Sequence, residues 1–433
     1  MTTLTPVTPH RVLPQSTSSS RLGLKGYYEL AVGQEPLHIF QGGKVLQENG
    51  QFISANLVTL GSKILSVGGN LPSVALWLRR KLRPSQFQVH NATGMLLTPG
   101  LIDQHNHGAH NVCFSHSSAD EITQLAKRMP SYGVTSVLPT LSTAPTAELQ
   151  ASIQKVNQSI AEQAPQGQTR WLGIHLEGPF LEAKQKGAHN SEWFQKPTSE
   201  ALQQFASPYL KVMTMAVEHD RDLKATQQLT QQGIRVQVGH SMATYDQVAQ
   251  AQQKGLSGVT HLYNQMSPFH HRQPGVVGSA LMLPGLKSEL TADGHHVHPD
   301  VVKMTIQRRP DDIILQTDSM YLAGMPDGQK GHMCGKPVVL RDGKVVDANC
   351  GPVIGNGDLS GSSAFLNQCV QNVVKWGITD FGHAVNMASK HPADYLGFTQ
   401  LGRLKPGAMA DIVLWDEKTL NVRQTFIGGK KAY

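Results

Sequence analysis

The 433 residues are 39% hydrophobic and only 16% charged, well under the roughly 25% charge of an average soluble domain, which excludes long disordered charged tracts and allows a barrel-sized core. Thirty-eight Lys and Arg against 31 Asp and Glu leave +7, spread along the chain, so the balance argues only weakly for an anionic ligand. Four cysteines, Cys113, Cys334, Cys350 and Cys369, form no C-x-x-C pair and are too few to frame a disulfide scaffold, which fits a reducing, cytoplasmic setting.

Residues 1–36 read as a disordered extension. The Ser16–Ser20 cluster invites a transit-peptide reading, but only Arg11, Arg21 and Lys25 carry charge before Glu29 and no amphipathic period appears. From residue 37 to 97 apolar and polar residues alternate between glycines at 42, 43, 50, 61, 68 and 69, the grammar of short antiparallel strands. The run Arg79-Arg80-Lys81-Leu82-Arg83 reads as a solvated loop, since no aromatic interleaves it and no nucleic-acid motif accompanies it. Strand-like text returns at Ala410–Trp415 and Thr425–Gly429, so residues 37–97 and 399–433 are expected to build one small β-sandwich domain from both ends of the chain.

Residues 98–398 alternate short apolar runs with helical patterns such as Ala119–Tyr132, Thr146–Glu162 and Tyr245–Lys254. Eight runs qualify as strands: Met95–Asp103, Val134–Thr140, Trp171–Glu177, Lys211–Val217, Val236–Gly239, Gly258–His261, Ser288–Ala292 and Ile313–Asp318. The fold class is therefore α/β, a parallel (β/α)8 barrel. The longest apolar stretch, near Gly275–Leu286, falls short of the about 18 residues of a membrane span.

In such a barrel the C-terminal strand ends converge on one mouth. Strand 1 runs into His105-Asn106-His107, and residues two apart on extended chain point the same way, so both imidazoles can face one ion. Strand 3 ends at Glu177, before Gly178-Pro179. Its His175 reads as a packed strand residue rather than a ligand. Strands 5 and 6 deliver His240 and His261, completing with Glu177 a three-ligand set that leaves room for water, the pattern of catalytic zinc. Asp318 ends strand 8, where a carboxylate can take a proton from water and return one to a leaving group.

These motifs resemble the amidohydrolase superfamily, and within it the N-acetylglucosamine-6-phosphate deacetylases. The likeness rests on Pro99-Gly100-Leu101-Ile102-Asp103, His175-Leu176-Glu177-Gly178-Pro179, Lys186-Gly187-Ala188-His189-Asn190, Gly239-His240-Ser241, Thr260-His261-Leu262-Tyr263-Asn264, Arg272-Gln273-Pro274-Gly275, Asp293-Gly294-His295-His296 and Leu359-Ser360-Gly361-Ser362. The resemblance implies that Glu177, His240 and His261 ligate a divalent ion, most simply Zn2+, and that Asp318 is the general base and acid. His105 and His107 would add a second ion, a pair that only some members of the family keep. It also implies that Ala188 and His189 approach the acetamide, that Asn264, Gln265 and the segment Asp293 to His296 surround an amino-sugar phosphate, that Arg272 grips the phosphate in a homodimer, and that Leu359, Ser360 and Gly361 close the pocket. Gln265, Gln273 and Ser319 depart from the family's usual Ala, Glu and Ala, and none of them removes a ligand or the base. A cyclic amidase would carry a metal-bridging lysine at the end of strand 4, and Met213–Glu218 holds none. A non-catalytic scaffold would have lost ligands that are all present here.

Overall fold

The computed structural model describes residues 36–71, 73–83, 86–164, 166–349 and 359–433. Except for Pro36, the N-terminal extension lies outside them, as does Cys350. The chain passes from its terminal sheet to its barrel at Gly100. The single strand expected over Met95–Asp103 is two: Met95–Pro99 belongs to the terminal sheet and Leu101–Asn106 opens the barrel. The break has a steric cause. A Cβ at position 100 would lie 2.0 Å from Oγ1 of Thr135, and the Gly100 N–H donates to the Asp411 carbonyl on the returning C-terminal chain.

The terminal sheet has eight strands. Leu37–Leu46 pairs antiparallel with Phe52–Leu60, which pairs with Lys63–Gly68, and it pairs parallel with Phe87–Asn91 and Met95–Pro99. Met95–Pro99 then joins Ile412–Asp416, Val422–Ile427 and Lys430–Lys431, so both chain ends share one sheet. Phe40, Leu57, Ile64, Leu97, Ile412, Leu414 and Phe426 fill its core, and the period of two at Ile412 and Leu414 is the alternation visible in the sequence. Phe87–Asn91 was not legible as a strand, because the pattern is weak: Gln88 and Val89 are exposed. The basic run is solvated but is not a loop. Arg79, Arg80 and Lys81 form the last turn of helix Ser73–Lys81, where cations favour the helix dipole, while Leu82 packs inward.

The barrel strands are β1 (Leu101–Asn106), β2 (Val134–Leu141), β3 (Ile174–Glu177), β4 (Leu210–Met215), β5 (Arg235–Val238), β6 (Leu256–Val259), β7 (Lys287–Thr291) and β8 (Ile313–Gln316). Each pairs parallel with the next, and a bridge between Asn106 and Ser319 brings the two ends of the series together. Helix Thr146–Glu162 matches its sequence pattern, and Ala119–Arg128 begins with the capping box of Ser118 and Glu121. Arg170 grips Asp411 with two hydrogen bonds of 2.5 and 2.8 Å, a buried ion pair that ties the barrel to the C-terminal chain.

One element was not expected. After β8 the chain forms a four-stranded antiparallel sheet, Lys330–Met333, Lys336–Arg341, Lys344–Asp347 and Leu359–Ser362. Among the described residues no helix is long and apolar enough to cross a membrane.

Candidate active site

The barrel brings seven predicted side chains to one point. His240, His261 and Asp318 each lie two residues beyond β5, β6 and β8, and each has positive φ, 46°, 29° and 50°. Such left-handed turns at non-glycine residues cost energy and are held by surrounding structure, a pattern that clusters at functional sites. Here they swing each side chain from the strand end toward the barrel axis. At Asp318 the holding contacts are backbone bonds: its N–H donates to the His105 carbonyl at 3.0 Å and its own carbonyl accepts from Ser362 at 2.7 Å.

Glu177, the last residue of β3, is the hub. Its Oε1 lies 3.1 Å from His240 Nε2, 2.9 Å from His261 Nε2 and 3.6 Å from His105 Nε2. Its Oε2 lies 3.2 Å from both His107 Nε2 and His189 Nε2. Asp318 Oδ1 stands 3.4 Å from the Nε2 atoms of His105 and His107. All seven residues are buried.

The far sides of the rings are held as well. His240 Nδ1 donates to the Gln185 carbonyl at 2.7 Å, His105 Nδ1 donates to Glu289 at 3.0 Å, His107 Nδ1 lies 3.0 Å from Ser142 Oγ, and His189 Nδ1 lies 2.9 Å from Thr143 Oγ1.

This arrangement fits a cation. Burial, helped by neighbouring His189 and His261 and opposed by Glu177, pushes His240 down to about 4, so its ring is neutral at pH 7. With Nδ1 committed to a carbonyl, its Nε2 carries a lone pair, yet that atom faces Glu177 oxygen and, at 3.0 Å, the Nε2 of His261. Lone pairs converging in a buried space need positive charge between them. Nitrogen and oxygen donors in this mixture suit a divalent metal, and His105, His107, Glu177, His189 and His240 all fall in ligand-competent groups. The wider electrostatics agree. Burial opposes charging His105, His107 and His189, but the carboxylates outweigh it: Asp318, Glu289 and Glu177 raise His105, and Glu177 leads in raising His189 to about 10. Burial likewise opposes ionising Glu177 and Asp318, yet the imidazoles hold both carboxyls well below the usual range.

The predicted substrate residues divide. Ala188 and His189 lie in a turn over the mouth, where a Cβ on neighbouring Gly187 would come 3.0 Å from Gln265 and 3.4 Å from His240. Asn264 folds its amide back onto the carbonyls of His261 and Leu262. Asp293 accepts from the backbone of His295 and His296 and from the His296 ring at 2.7 Å, which fixes that ring close enough to Asp318 to feel its charge. Leu359, Ser360 and Gly361 lie on the last strand of the extra sheet, which pairs with the Asp318 turn. A Cβ at Gly361, whose φ is 75°, would sit 3.0 Å from the Asp318 carbonyl. Arg272 is the exception. It is exposed, and its Nη1 lies 2.9 Å from His271 Nε2.

His175 is a packed residue, as its sequence context suggested. It bonds the Gln104 carbonyl and Thr214, and burial pushes its ring down to about 3. Sequence reasoning missed the supports: Glu289 on β7, and Asp103, whose carboxylate accepts from Thr317 and Asn106 and so ties the two ends of the barrel together. The surrounding sequence marks neither of them, since the strands read Lys287-Ser288-Glu289-Leu290-Thr291 and Leu101-Ile102-Asp103-Gln104-His105-Asn106.

The amidohydrolase family pattern matches residues 96–432. The chain is 37% identical to an N-acetylgalactosamine-6-phosphate deacetylase of Escherichia coli O157:H7 over 81% of this chain and 91% of that protein. It is 35% identical to an N-acetylglucosamine-6-phosphate deacetylase of Vibrio furnissii over 78% and 83% of the two chains. The crystal structure of N-acetylglucosamine-6-phosphate deacetylase from Pasteurella multocida superposes with a TM-score of 0.81 at 27% identity, covering 91% of this chain and 99% of that one. With the motifs, the barrel and the buried donor set in agreement, the chain belongs to the amidohydrolase family and, within it, to the N-acetylglucosamine-6-phosphate deacetylase group.

Proposed function

We propose that this protein hydrolyses the acetamide of N-acetylglucosamine 6-phosphate to acetate and glucosamine 6-phosphate. The observation that carries the reading is the convergence of Glu177, His240, His261, His105, His107, His189 and Asp318 at the mouth of a barrel whose relatives bear that activity in their names. Glu177, His240 and His261 would hold a divalent ion, and His105 with His107 would hold a second. Zn2+ suits a set of imidazoles and one carboxylate, and when bound it supplies the Lewis acidity that makes water nucleophilic near pH 7.

The protein's own groups do the rest. Asp318 takes one proton from the attacking water as the C–O bond forms. His189, whose Nε2 lies 3.2 Å from Glu177 Oε2 and faces the cluster, donates to the acetamide oxygen as negative charge develops there. Asp318 then delivers its proton to the amine nitrogen as the C–N bond breaks, so the base is regenerated. Asn264, Gln265, Asp293, His296 and the backbone of Leu359, Ser360 and Gly361 would line the sugar phosphate, with Ala188 against the acetyl group. The exposure of Arg272 supports a homodimer in which it grips the phosphate in the neighbouring pocket. Unpaired Cys113, Cys334 and Cys369 support a reducing cytoplasmic location, where sugar phosphates are retained.

One observation favours a second substrate, the galactosamine analogue, since 37% identity to a deacetylase of that name exceeds the 35% to the glucosamine enzyme. A panel of gluco, galacto and manno N-acetyl sugars, with and without 6-phosphate, assayed for amine release after metal removal and defined reconstitution, tests both readings. No amine release from any of them by metal-loaded protein would refute the activity.

A further inference from the structure

Behind the ring of candidate ligands stands a carboxylate that is itself fully occupied. Glu289, on β7, is wholly buried. Its Oε1 accepts from Gln104 Nε2 at 2.8 Å and Gln237 Nε2 at 3.1 Å, and its Oε2 accepts from His105 Nδ1 at 3.0 Å and the His261 backbone N–H at 3.3 Å. Four donors from β1, from β5 and from the turn after β6 fill the four lone-pair directions of one ionised carboxylate. Glu289 therefore has no lone pair to offer an ion, although it lies within ligand distance of His105 and His175. His175 is equally committed, to Gln104 and Thr214.

We infer that Glu289 is a positioning residue: it commits His105 Nδ1 as a donor and so presents His105 Nε2 to an ion, setting the affinity of the His105–His107 side of the centre. The inference rests on the metal reading above and adds the residue that governs its second half. Two geometric facts and one general principle support it. The Glu289 bond fixes the ring plane of His105, whose Nε2 then lies 3.2 Å from His107 Nε2 and 3.4 Å from Asp318. His240, His107 and His189 are held on their far sides by neutral groups, a carbonyl and two hydroxyls, so among these rings only His105 leans on a charged acceptor. A carboxylate behind a ligating imidazole raises its basicity, and removing such partners typically costs about 10- to 100-fold in metal affinity. The His261 N–H donates to the same oxygen, but through backbone, so it leaves the His261 ring unaffected.

The test is competitive titration of Zn2+ into the full chain against a chelating indicator, for wild type and Glu289→Gln, with folding checked by circular dichroism. The amide keeps the shape and loses the charge. The expected result is an ion bound about tenfold or more weakly in the variant, while the ion held by Glu177, His240 and His261 keeps its wild-type affinity. Equal affinities for every ion in wild type and a folded variant would overturn the inference, as would equal weakening of all of them. A second measurement needs no folded Glu289 variant. In wild-type protein carrying 15N-labelled histidine and loaded with Zn2+, the His105 ring, assigned by its loss in His105→Gln, should show a proton on Nδ1 and none on Nε2. The opposite tautomer would refute the role. Deacetylation is not the readout in either experiment, so a failed substrate assignment and a failed role for Glu289 are told apart by amine release in the wild type.

Discussion

Asp318→Asn removes a proton acceptor while leaving almost everything else in place. The side chain keeps its volume, and the bonds that shape its left-handed turn, to His105 and Ser362, are made by backbone atoms that the substitution does not touch. Of the two carboxylates in the cluster, the Glu177 side chain is 3% exposed and ringed by imidazoles, whereas that of Asp318 is 13% exposed and opens to the pocket. The nearby Asp293 is occupied by His296 and two backbone N–H groups. Neither of these carboxylates is free to replace it, so the full contribution of general acid–base catalysis should be lost. That contribution is on the order of 10² to 10⁴ in kcat, or about 3 to 5 kcal/mol of barrier. Bound metal should stay near the wild-type content, since the Glu177, His240 and His261 set is untouched. The assay is amine release at saturating substrate with elemental analysis on the same sample, and KM should move less than kcat. Near-normal turnover in a metal-loaded Asp318→Asn protein would place the base elsewhere.

Three further outcomes are expected. Replacing both His105 and His107 with Gln should spare at least one tightly held ion, because Glu177, His240 and His261 would form a three-ligand set without them, and complete metal loss from the folded double variant, read by elemental analysis, would reject that division. Arg272→Ala should lower kcat/KM by about 2 to 4 kcal/mol on the 6-phosphorylated sugar and little on the unphosphorylated one, whereas equal losses on both would assign Arg272 to the fold. In the terminal sheet His38 is held down to about 4 by burial and by His90, whose Nε2 lies 2.9 Å away, while the unfolded chain takes up that proton near 6.5. The unfolded state therefore binds more protons between these values, and stability should fall as pH drops from about 6.5 to 4, by up to about 3 kcal/mol. His38→Gln should flatten that limb in denaturant titrations, and an unchanged slope would show that other groups set it.

The candidate cluster was legible because a barrel makes it so. A parallel strand ending in His or an acid points at the mouth whatever the rest of the chain does, so His105, His107, Glu177, His240, His261 and Asp318 could be read one strand at a time. His189 was not legible in this way: it sits in a turn beyond β3, and only the family motif marked it. The supports were harder still. Glu289 meets His105 across 184 residues, and a lone Glu in Ser288-Glu289-Leu290 looks like any alternating strand residue until its four donors are placed around it. The extra sheet escaped for a related reason, since Lys330–Met333 and Lys344–Asp347 are short and carry polar residues on both sides of a weak alternation.

Arg272 is the converse case, since its motif is plain in the sequence but the folded chain leaves it in solvent. A guanidinium meant for a phosphate in its own pocket would be expected to be partly enclosed; Arg272 is exposed, with His271 Nε2 2.9 Å from its Nη1. In the proposed homodimer a second copy would complete it, and Arg is among the residues that interfaces favour. Under that proposal the substrate's charged end would depend on assembly while the chemistry proposed at Glu177 and Asp318 would not. Dilution that dissociates a dimer should for that reason raise KM for the phosphorylated sugar before it lowers turnover of the unphosphorylated one.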